Sequence, residues 1–149
     1  FILLLTRTPM KHYLLICLFS ITQISFSQQV NTLESSLTKA KQEHKKVLLY
    51  FSGSDWCAPC IKFKKTFIQN EAFQSFASEN LIVVNADFPR LKKNALSAEQ
   101  TTENEKLADK YNANGIFPLV LVLDENGKVI KKWEKIPEET IDTFLAQLK

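Results

Sequence analysis

The chain has 149 residues and a formal net charge of +3 at pH 7, with 45% hydrophobic and 23% charged residues. These values are typical of one globular domain with its own core, and they exclude a disordered chain and a multidomain machine. Three cysteines are too few for a disulfide-stapled miniprotein, and the small positive excess contains no basic block that would indicate nucleic-acid binding.

Residues 1–27 have the pattern of a secretory signal peptide that begins at Met10 and is preceded by nine residues upstream of this start. Met10 is the expected start, a short basic segment follows it, and the apolar run 13–19 leads to a segment with small residues. This order predicts an export signal cleaved after Ser27. The apolar run is shorter than the ~20 residues of a spanning helix. We therefore expect a domain of residues 28–149 in the periplasm or outside the cell.

Cys17 raises the alternative of a lipoprotein anchor. Only four residues separate it from His12 and no small residue precedes it, so this interpretation is less favoured. Removing residues 1–27 also removes Arg7 and Lys11 and no acid, which lowers the net charge from +3 to +1 and leaves two cysteines. We expect the remaining domain to be a monomer without a membrane span.

Beyond residue 28 the apolar periodicity predicts elements in the order α-β-α-α-β-α-β-β-α. The segments up to the second strand are a helix started by an Asn31/Glu34 capping box, a buried strand Val47–Phe51, a helix after Cys57, a helix Glu71–Ser78 and a buried strand Leu81–Val84. In the helix after Cys57 we expect Cys60, Phe63 and Phe67 to point inward and the lysines between them to point outward.

The second half begins with Phe88–Thr101, which is predicted to be a polar insertion, either solvated or available to a partner. The segments after it are a helix capped by Thr102, an apolar strand Leu119–Leu123, a hairpin turn Asp124–Gly127, an edge strand Lys128–Trp133 and a last helix with Pro137 at its first position. The apolar residues of that last helix recur at helical spacing from Ile141, so one face is expected to pack on the sheet.

The chemistry is expected at Cys57 and Cys60, which are separated by Ala58 and Pro59. A cysteine attacks as a thiolate, and the unpaired N–H groups at a helix start would stabilise that charge on Cys57. Cys60 lies within the first turn, close enough to attack a mixed disulfide on Cys57, and Pro59 costs no hydrogen bond there. The pair is therefore suited to cycle between dithiol and disulfide.

Three other roles are conceivable for the two cysteines. A zinc site needs about four ligands, whereas residues 28–149 offer two cysteines and one distant histidine, His44. A structural disulfide this short would constrain little of the unfolded chain. Two inert reduced cysteines stay open, although an exported protein rarely keeps them. Redox activity is favoured, and since no NAD or flavin fingerprint is present, we expect no cofactor and no metal beyond the cysteine pair.

The segment Tyr50–Cys60, followed by Gly115–Pro118 and an apolar strand, resembles the thioredoxin superfamily. It is similar in particular to exported thioredoxin-like proteins of Gram-negative bacteria and to the C-terminal domain of the thiol:disulfide interchange protein DsbD. The resemblance extends from about Leu33 to the last helix. It implies an α/β thioredoxin fold, with a central mixed β-sheet flanked by helices on both faces.

The resemblance also assigns roles to residues. It implies that Cys57 attacks a substrate disulfide and that Cys60 resolves the mixed disulfide. Trp56 would shape the surface beside the sulfur, where the alternative is a plain core aromatic. Pro118 would be a cis-proline facing the site, with the Phe117 backbone pairing to a substrate segment, and the alternative is an ordinary strand-edge proline.

The implied function is a thiol–disulfide oxidoreductase acting on cysteine-containing exported proteins. Ala58-Pro59 is nearer the Gly-Pro of reductants than the Pro-His of strong oxidants, which favours reduction, with electrons from a membrane thiol donor. Tyr50 stands where thioredoxins carry a buried acid, and a neutral tyrosine is a poor base at pH 7. Asp55 and Lys46 are interpreted as exposed charges rather than replacements. The alternative function is a binding or chaperone module with incidental redox activity.

Overall fold

The structure is a computed structural model, and it describes residues 32–149. The predicted signal peptide and the expected cap Asn31 lie outside these residues. The elements are α1 Leu33–Glu43, β1 Lys46–Ser52, α2 Ala58–Phe63, a π-helical turn Lys64–Ile68, α3 Glu71–Asn80, β2 Leu81–Asp87, a 3-10 turn Lys92–Asn94, α4 Ala98–Tyr111, β3 Leu119–Leu123, β4 Val129–Trp133 and α5 Ile141–Leu148. The predicted order of helices and strands is confirmed.

The four strands form one mixed sheet in the order β2-β1-β3-β4. The β1–β2 pair is parallel, whereas β3 is antiparallel to both β1 and β4. Every residue of β3 is buried, and so is every residue of β1 after Lys46. This confirms the interpretation of the two continuous apolar runs as central strands.

The prediction that Leu81–Val84 is a strand buried on both faces is wrong. β2 lies at the edge of the sheet and alternates between buried and more exposed residues. Val83, for example, is 39% exposed while its neighbour Val84 is 5% exposed. Four apolar residues in a row do not distinguish an edge strand from a central one, because valine is also favoured on a half-exposed pleated surface. β4 is the other edge strand, as predicted.

Helices cover both faces of the sheet and create two cores. On one face, Leu48, Val120 and Val122 pack against side chains of α2, the π-helical turn, α3 and α5. On the other face, alternate residues of the same strands, such as Leu49 and Leu121, pack against α1 and α4. The arrangement is the predicted one, a mixed sheet flanked by helices. Among residues 32–149, no helix is long and apolar enough to cross a membrane.

The helix starts correct three expectations. Thr32 takes the N-cap of α1, where its side chain accepts a hydrogen bond from the Ser35 N–H. Ser97 caps α4, so Thr102 lies inside this helix with its Oγ1 donating to a carbonyl one turn earlier. α5 is capped by Thr140, which places Pro137 before the helix. Threonine and proline are compatible with several positions near a helix start, so their presence alone does not fix the first residue.

Candidate redox site at the start of helix α2

A disulfide joins Cys57 and Cys60, with 2.02 Å between the two sulfur atoms. Cys57 is the N-cap of α2, and its Sγ accepts a hydrogen bond from the Cys60 N–H at 3.2 Å. Both cysteines are buried, Cys57 at 5% and Cys60 at 2% exposure, while Ala58 and Pro59 between them are exposed. The site therefore places one redox pair just below the surface, at the end of α2 where N–H groups have no helical partner.

The helix that follows is held in place by its apolar face. Cys60, Phe63 and Phe67 are buried as predicted, and the two phenylalanine rings stack at 5.5 Å between centroids. The rings of Phe67 and Phe144 contact each other edge to face, at 4.8 Å. These contacts fix the helix that carries the disulfide against the core under the sheet.

Trp56 lies directly before the disulfide and is fixed on three sides. Its Nε1 donates to the Phe88 carbonyl at 2.7 Å, and its ring contacts the Phe117 ring edge to face at 5.3 Å. The Arg90 guanidinium lies 3.9 Å from the centre of the indole. A Cβ on Gly53 would lie 2.2 Å from the Trp56 ring, so the absence of a side chain there allows the indole to lie against the backbone.

The loop before β3 reaches the site through Phe117, whose ring contacts Trp56. The Phe117–Pro118 peptide bond is cis, and Pro118 is buried. Asn112 organises this loop, since its Oδ1 accepts from the Ile116 N–H at 2.8 Å and its Nδ2 donates to the Ile116 carbonyl at 2.9 Å. Asn112 is itself 5% exposed. Its role was not predicted, because the sequence shows only an Asn near a Gly.

A cavity of about 330 Å³ lies beside Cys60. Its lining residues are Tyr50, Ser52, Ser54, Cys60, Ile61, Lys64, Lys65 and Gln69. Burial, and to a lesser extent the negative charge of Asp87, raises the pKa of Tyr50 to about 12. Tyr50 therefore stays protonated at neutral pH and supplies no base, as expected from the sequence.

Asp87 lies at the end of β2 and holds the loop that precedes the disulfide. Its Oδ1 accepts from the Ser54 N–H and lies 2.8 Å from the Ser52 hydroxyl, while its Oδ2 accepts from the Ser54 hydroxyl at 2.5 Å. Strand pairing brings Ser52 opposite Asp87. The sequence did not indicate this role, since the contact joins residues more than thirty positions apart.

Asp55 lies at the surface, as interpreted from the sequence, but its carboxylate is engaged in hydrogen bonds that the sequence did not indicate. Its carboxylate accepts hydrogen bonds from the Arg90 and Leu91 N–H groups, both at 2.9 Å, and from the Asn94 side chain at 3.0 Å. These bonds hold the pKa of Asp55 below its usual value, and the bond from the Arg90 backbone N–H has the largest effect. Asp55 thereby attaches the Phe88–Thr101 segment to the loop that carries Trp56 and Cys57.

The Phe88–Thr101 segment is only partly the polar insertion that was predicted. It contains the 3-10 turn Lys92–Asn94, and its last residues form the first turn of α4. Lys46, the other charge considered near the site, lies at the opposite end of β1 and donates to the Leu148 carbonyl and the carbonyl of the last residue. Within residues 32–149, no three metal-binding side chains come together.

A mixed sheet of this order, with a Cys-X-X-Cys disulfide at a helix start and a cis-proline loop beside it, defines the class of thioredoxin-fold proteins. Comparison with known proteins agrees, since a family model described as Thioredoxin-like matches residues 28–125. The chain belongs to this thioredoxin-like family.

Two relatives and one solved structure show the similarity in detail. The disulfide bond reductase DsbH of Chlamydia pneumoniae is 36% identical over 104 residues, which are 70% of this chain and 61% of DsbH. The thiol:disulfide interchange protein DsbD of Haemophilus influenzae is 32% identical over 113 residues, 75% of this chain and 17% of DsbD. A solved structure called DsbH oxidoreductase is 32% identical, covers 81% of either chain and superposes with a TM-score of 0.70. The chain thus spans about three fifths of the curated DsbH.

Proposed function

We propose that the protein is an exported thiol–disulfide oxidoreductase that reduces or exchanges disulfides in other exported proteins. The observation that carries the proposal is the Cys57–Cys60 disulfide at the start of α2, with the Cys60 N–H donating to the Cys57 sulfur. The similarity to a disulfide bond reductase and to a thiol:disulfide interchange protein supports the same activity. The predicted signal peptide supports a periplasmic or secreted location.

The geometry suggests how the cycle runs. In the reduced protein, the N–H groups at the start of α2 stabilise a thiolate on Cys57. The thiolate attacks a partner disulfide, forms a mixed disulfide and releases one partner thiolate. Cys60 then loses its proton and attacks the Cys57 sulfur, which releases the second partner thiol and leaves the disulfide seen in the structure. Two electrons pass from the dithiol to the partner, the two protons of the dithiol go to solvent, and the two released partner thiolates take up two protons from solvent.

The proton of Cys60 needs an acceptor other than Tyr50, since that phenol stays neutral. The cavity of about 330 Å³ beside Cys60 is large enough to hold several solvent molecules. We assign this proton to solvent in that cavity. On this proposal, Trp56 and the Phe117–Pro118 loop form the surface that receives the partner's disulfide, and Ala58 and Pro59 are the exposed residues nearest to it.

Restoring the dithiol requires an electron donor. The described residues contain no second redox group, and the resemblance to DsbD favours a membrane thiol protein as the donor. The reduction potential of the Cys57–Cys60 pair, measured against a glutathione series, decides the direction of exchange. A potential near that of thioredoxin, about −270 mV, would support reduction, whereas one near −120 mV would assign the protein to oxidants.

The activity itself is tested with two single substitutions. Cys57→Ser should abolish reduction of insulin disulfides, because it removes the attacking sulfur. Cys60→Ser should instead accumulate a mixed disulfide with the substrate, visible by mass spectrometry, because nothing resolves it. Lys128→Gln, at the opposite end of the sheet, is the control and should react like the unmodified protein. Reduction that survives Cys57→Ser would overturn the proposal, and client binding that survives it would favour a binding module.

A further inference from the structure

Six exposed cationic side chains lie on the two segments beside the disulfide, three on the helical segment that follows Cys57 and three on the segment that follows β2. They are Lys62, Lys64, Lys65, Arg90, Lys92 and Lys93, which we call the basic rim. Asp55 and Asp87, the acids of this region, accept hydrogen bonds from neighbouring N–H and hydroxyl groups.

The basic rim contrasts with the domain as a whole, whose net charge is almost zero. Residues 32–149 carry 17 basic and 16 acidic side chains, which gives +1. Five lysines outside the rim form ion pairs, namely Lys39, Lys45, Lys106, Lys132 and Lys135. Throughout the described residues, no rim cation lies within 4.0 Å of a carboxylate. Of the twelve cations without an ion pair, six therefore belong to the rim and the other six are spread over the rest of residues 32–149.

The contacts of the site place the rim on both sides of the sulfur atoms. Lys64 and Lys65 line the cavity that Cys60 also lines. Arg90 covers the ring of Trp56, the residue next to Cys57. The Asp55 carboxylate holds the backbone of Arg90 and Leu91, so the two lysines after Leu91 belong to a segment anchored at the site.

Each side of the rim also carries one exposed apolar side chain. Ile61 on the helix side and Leu91 on the other side are both 48% exposed. Apolar side chains within a cationic surface favour a polypeptide over a simple inorganic anion, because they add apolar area that can be buried on binding. The partner's disulfide must also reach Cys57, which brings the residues flanking the partner's cysteine over the rim.

We propose that the basic rim is a docking surface for partner polypeptides whose reactive disulfide is flanked by acidic residues. The proposal rests on the oxidoreductase function and names the chemistry of its preferred partner. The Cys57–Cys60 dithiol supplies the two electrons that reduce the partner's disulfide, and solvent exchanges the two protons, so that the partner ends with two thiols. The unpaired cations attract the acidic flanks, which raises the association rate and selects such partners over neutral or basic ones.

The test uses three synthetic peptides with one intramolecular disulfide and identical sequences except at four flanking positions, which are Asp, Ser or Lys. The reduced protein is mixed with each peptide at low and high ionic strength, and the rate constant of disulfide reduction is measured. We expect the acidic peptide to react about tenfold faster than the neutral one at low salt and the basic one to react slowest. Salt of about 0.5 M should remove most of the difference, because it screens exposed charges.

Two matched variants locate the effect. Lys62→Gln/Lys92→Gln removes one charge from each side of the rim and should bring the acidic-to-neutral rate ratio severalfold closer to one. Lys41→Gln/Lys128→Gln removes two exposed, unpaired charges at the opposite end of the sheet and should leave the ratio unchanged. All four are surface lysines outside the cores, so neither variant is expected to disturb folding.

Each outcome supports or overturns a defined statement. If the neutral peptide is not reduced at all, the oxidoreductase function is wrong. If it is reduced but the acidic peptide reacts no faster, or if both double variants change the ratio equally, only the docking surface is wrong. Binding to phosphatidylglycerol vesicles that the rim variant loses, with no preference among peptides, would assign the rim to a membrane surface instead.

Discussion

Tyr50 shows how one buried side chain makes stability depend on pH. It is 5% exposed, its ring contacts Phe63 edge to face, and its pKa is about 12. In the unfolded chain the same phenol titrates near 10. The folded state therefore keeps a proton that the unfolded chain loses as the pH rises above 10. Tyr50 stabilises the fold fully below that pH, and its contribution is lost between pH 10 and 12.

Tyr50→Phe should remove this part of the pH dependence. At pH 11, ionisation of the unfolded tyrosine costs the original protein about 1.4 kcal/mol that the phenylalanine variant does not lose. Urea unfolding of both proteins at pH 8 and pH 11 measures the effect. Comparing the two proteins at each pH cancels the titration of lysines and of other tyrosines. A stability difference that is the same at both pH values would contradict the assigned pKa.

The same substitution tests whether the phenol takes part in proton transfer. Since Tyr50 stays neutral across the physiological range, Tyr50→Phe is expected to leave the pH profile of disulfide reduction between pH 6 and 9 unchanged in shape. The rate itself should change by less than about threefold, because the aromatic contact with Phe63 is retained. The appearance or loss of a titration step in this range would give the phenol a direct role.

At the scale of elements, Asp55 joins two segments that are distant in sequence. It attaches the 3-10 turn after β2 to the loop before α2 through three hydrogen bonds. Asp55→Ala should release this turn, so the Arg90 and Leu91 amides should exchange with solvent at least tenfold faster. Glu125→Ala in the opposite hairpin is the control and should leave those amides protected. Amide exchange measured by NMR follows both residues individually.

The pH dependence of this anchor follows from its lowered pKa. The ionised carboxylate is the form that accepts the N–H groups, and the fold holds its pKa below the usual 3.8. The protection of the Arg90 and Leu91 amides should therefore persist above pH 3.8 and be lost as the pH falls through the lower, folded-state value. Loss of protection already at pH 5 would show that another group holds the turn.

The elements also show what the sequence could predict and where it failed. β1 and β3 were predicted because Val47–Phe51 and Leu119–Leu123 are unbroken apolar runs, as strands covered on both faces typically show. The predicted start of α4 was wrong because the side chains of Ser97 and Thr102 can both accept a hydrogen bond from an N–H group at a helix start, and tertiary contacts decide between them. α5 begins later than predicted, since Pro137 is compatible with the loop before a helix as well as with its first turn.

The cysteine pair of the site could be predicted from local sequence, whereas the long-range contacts that support it could not. Residues 56–60 occupy adjacent positions in the chain, so their spacing alone placed two cysteines at a helix start. The support from Asp55 and Asp87 depends on contacts with residues more than thirty positions away. Such contacts follow from strand pairing and loop packing, which a single sequence does not specify. The basic rim could not be predicted from the sequence either, because its two halves lie on segments that are separate in the chain.

At the scale of the whole molecule, the helical segment after Cys57 and the C-terminal helix α5 share one aromatic cluster. Phe144 of α5 is fully buried, and its ring lies 4.8 to 6.4 Å from the rings of Phe63, Phe67, Phe73 and Trp133. Two of these rings belong to the helical segment that begins after Cys57. The last helix therefore supports the segment that carries the disulfide, although it lies at the end of the chain.

Phe144→Ala tests this support. Removing a fully buried ring at the centre of the cluster should lower the free energy of unfolding by about 3–5 kcal/mol, because a cavity remains where five aromatic side chains met. Ile130→Ala, at a site 49% exposed on β4, is the control and should cost less than about 0.5 kcal/mol. Urea unfolding followed by circular dichroism measures both.

The Phe144→Ala substitution should also affect the Cys57–Cys60 disulfide. Because Phe63 and Phe67 lose a partner in Phe144→Ala, the segment after Cys57 is expected to open more often, and dithiothreitol should reduce the Cys57–Cys60 disulfide severalfold faster than in the unmodified protein. The Ile130→Ala control should show no such change. If Phe144→Ala loses the expected stability but its disulfide is not reduced faster, α5 stabilises the sheet alone. The helix that follows Cys57 would then be held from the side of Trp56.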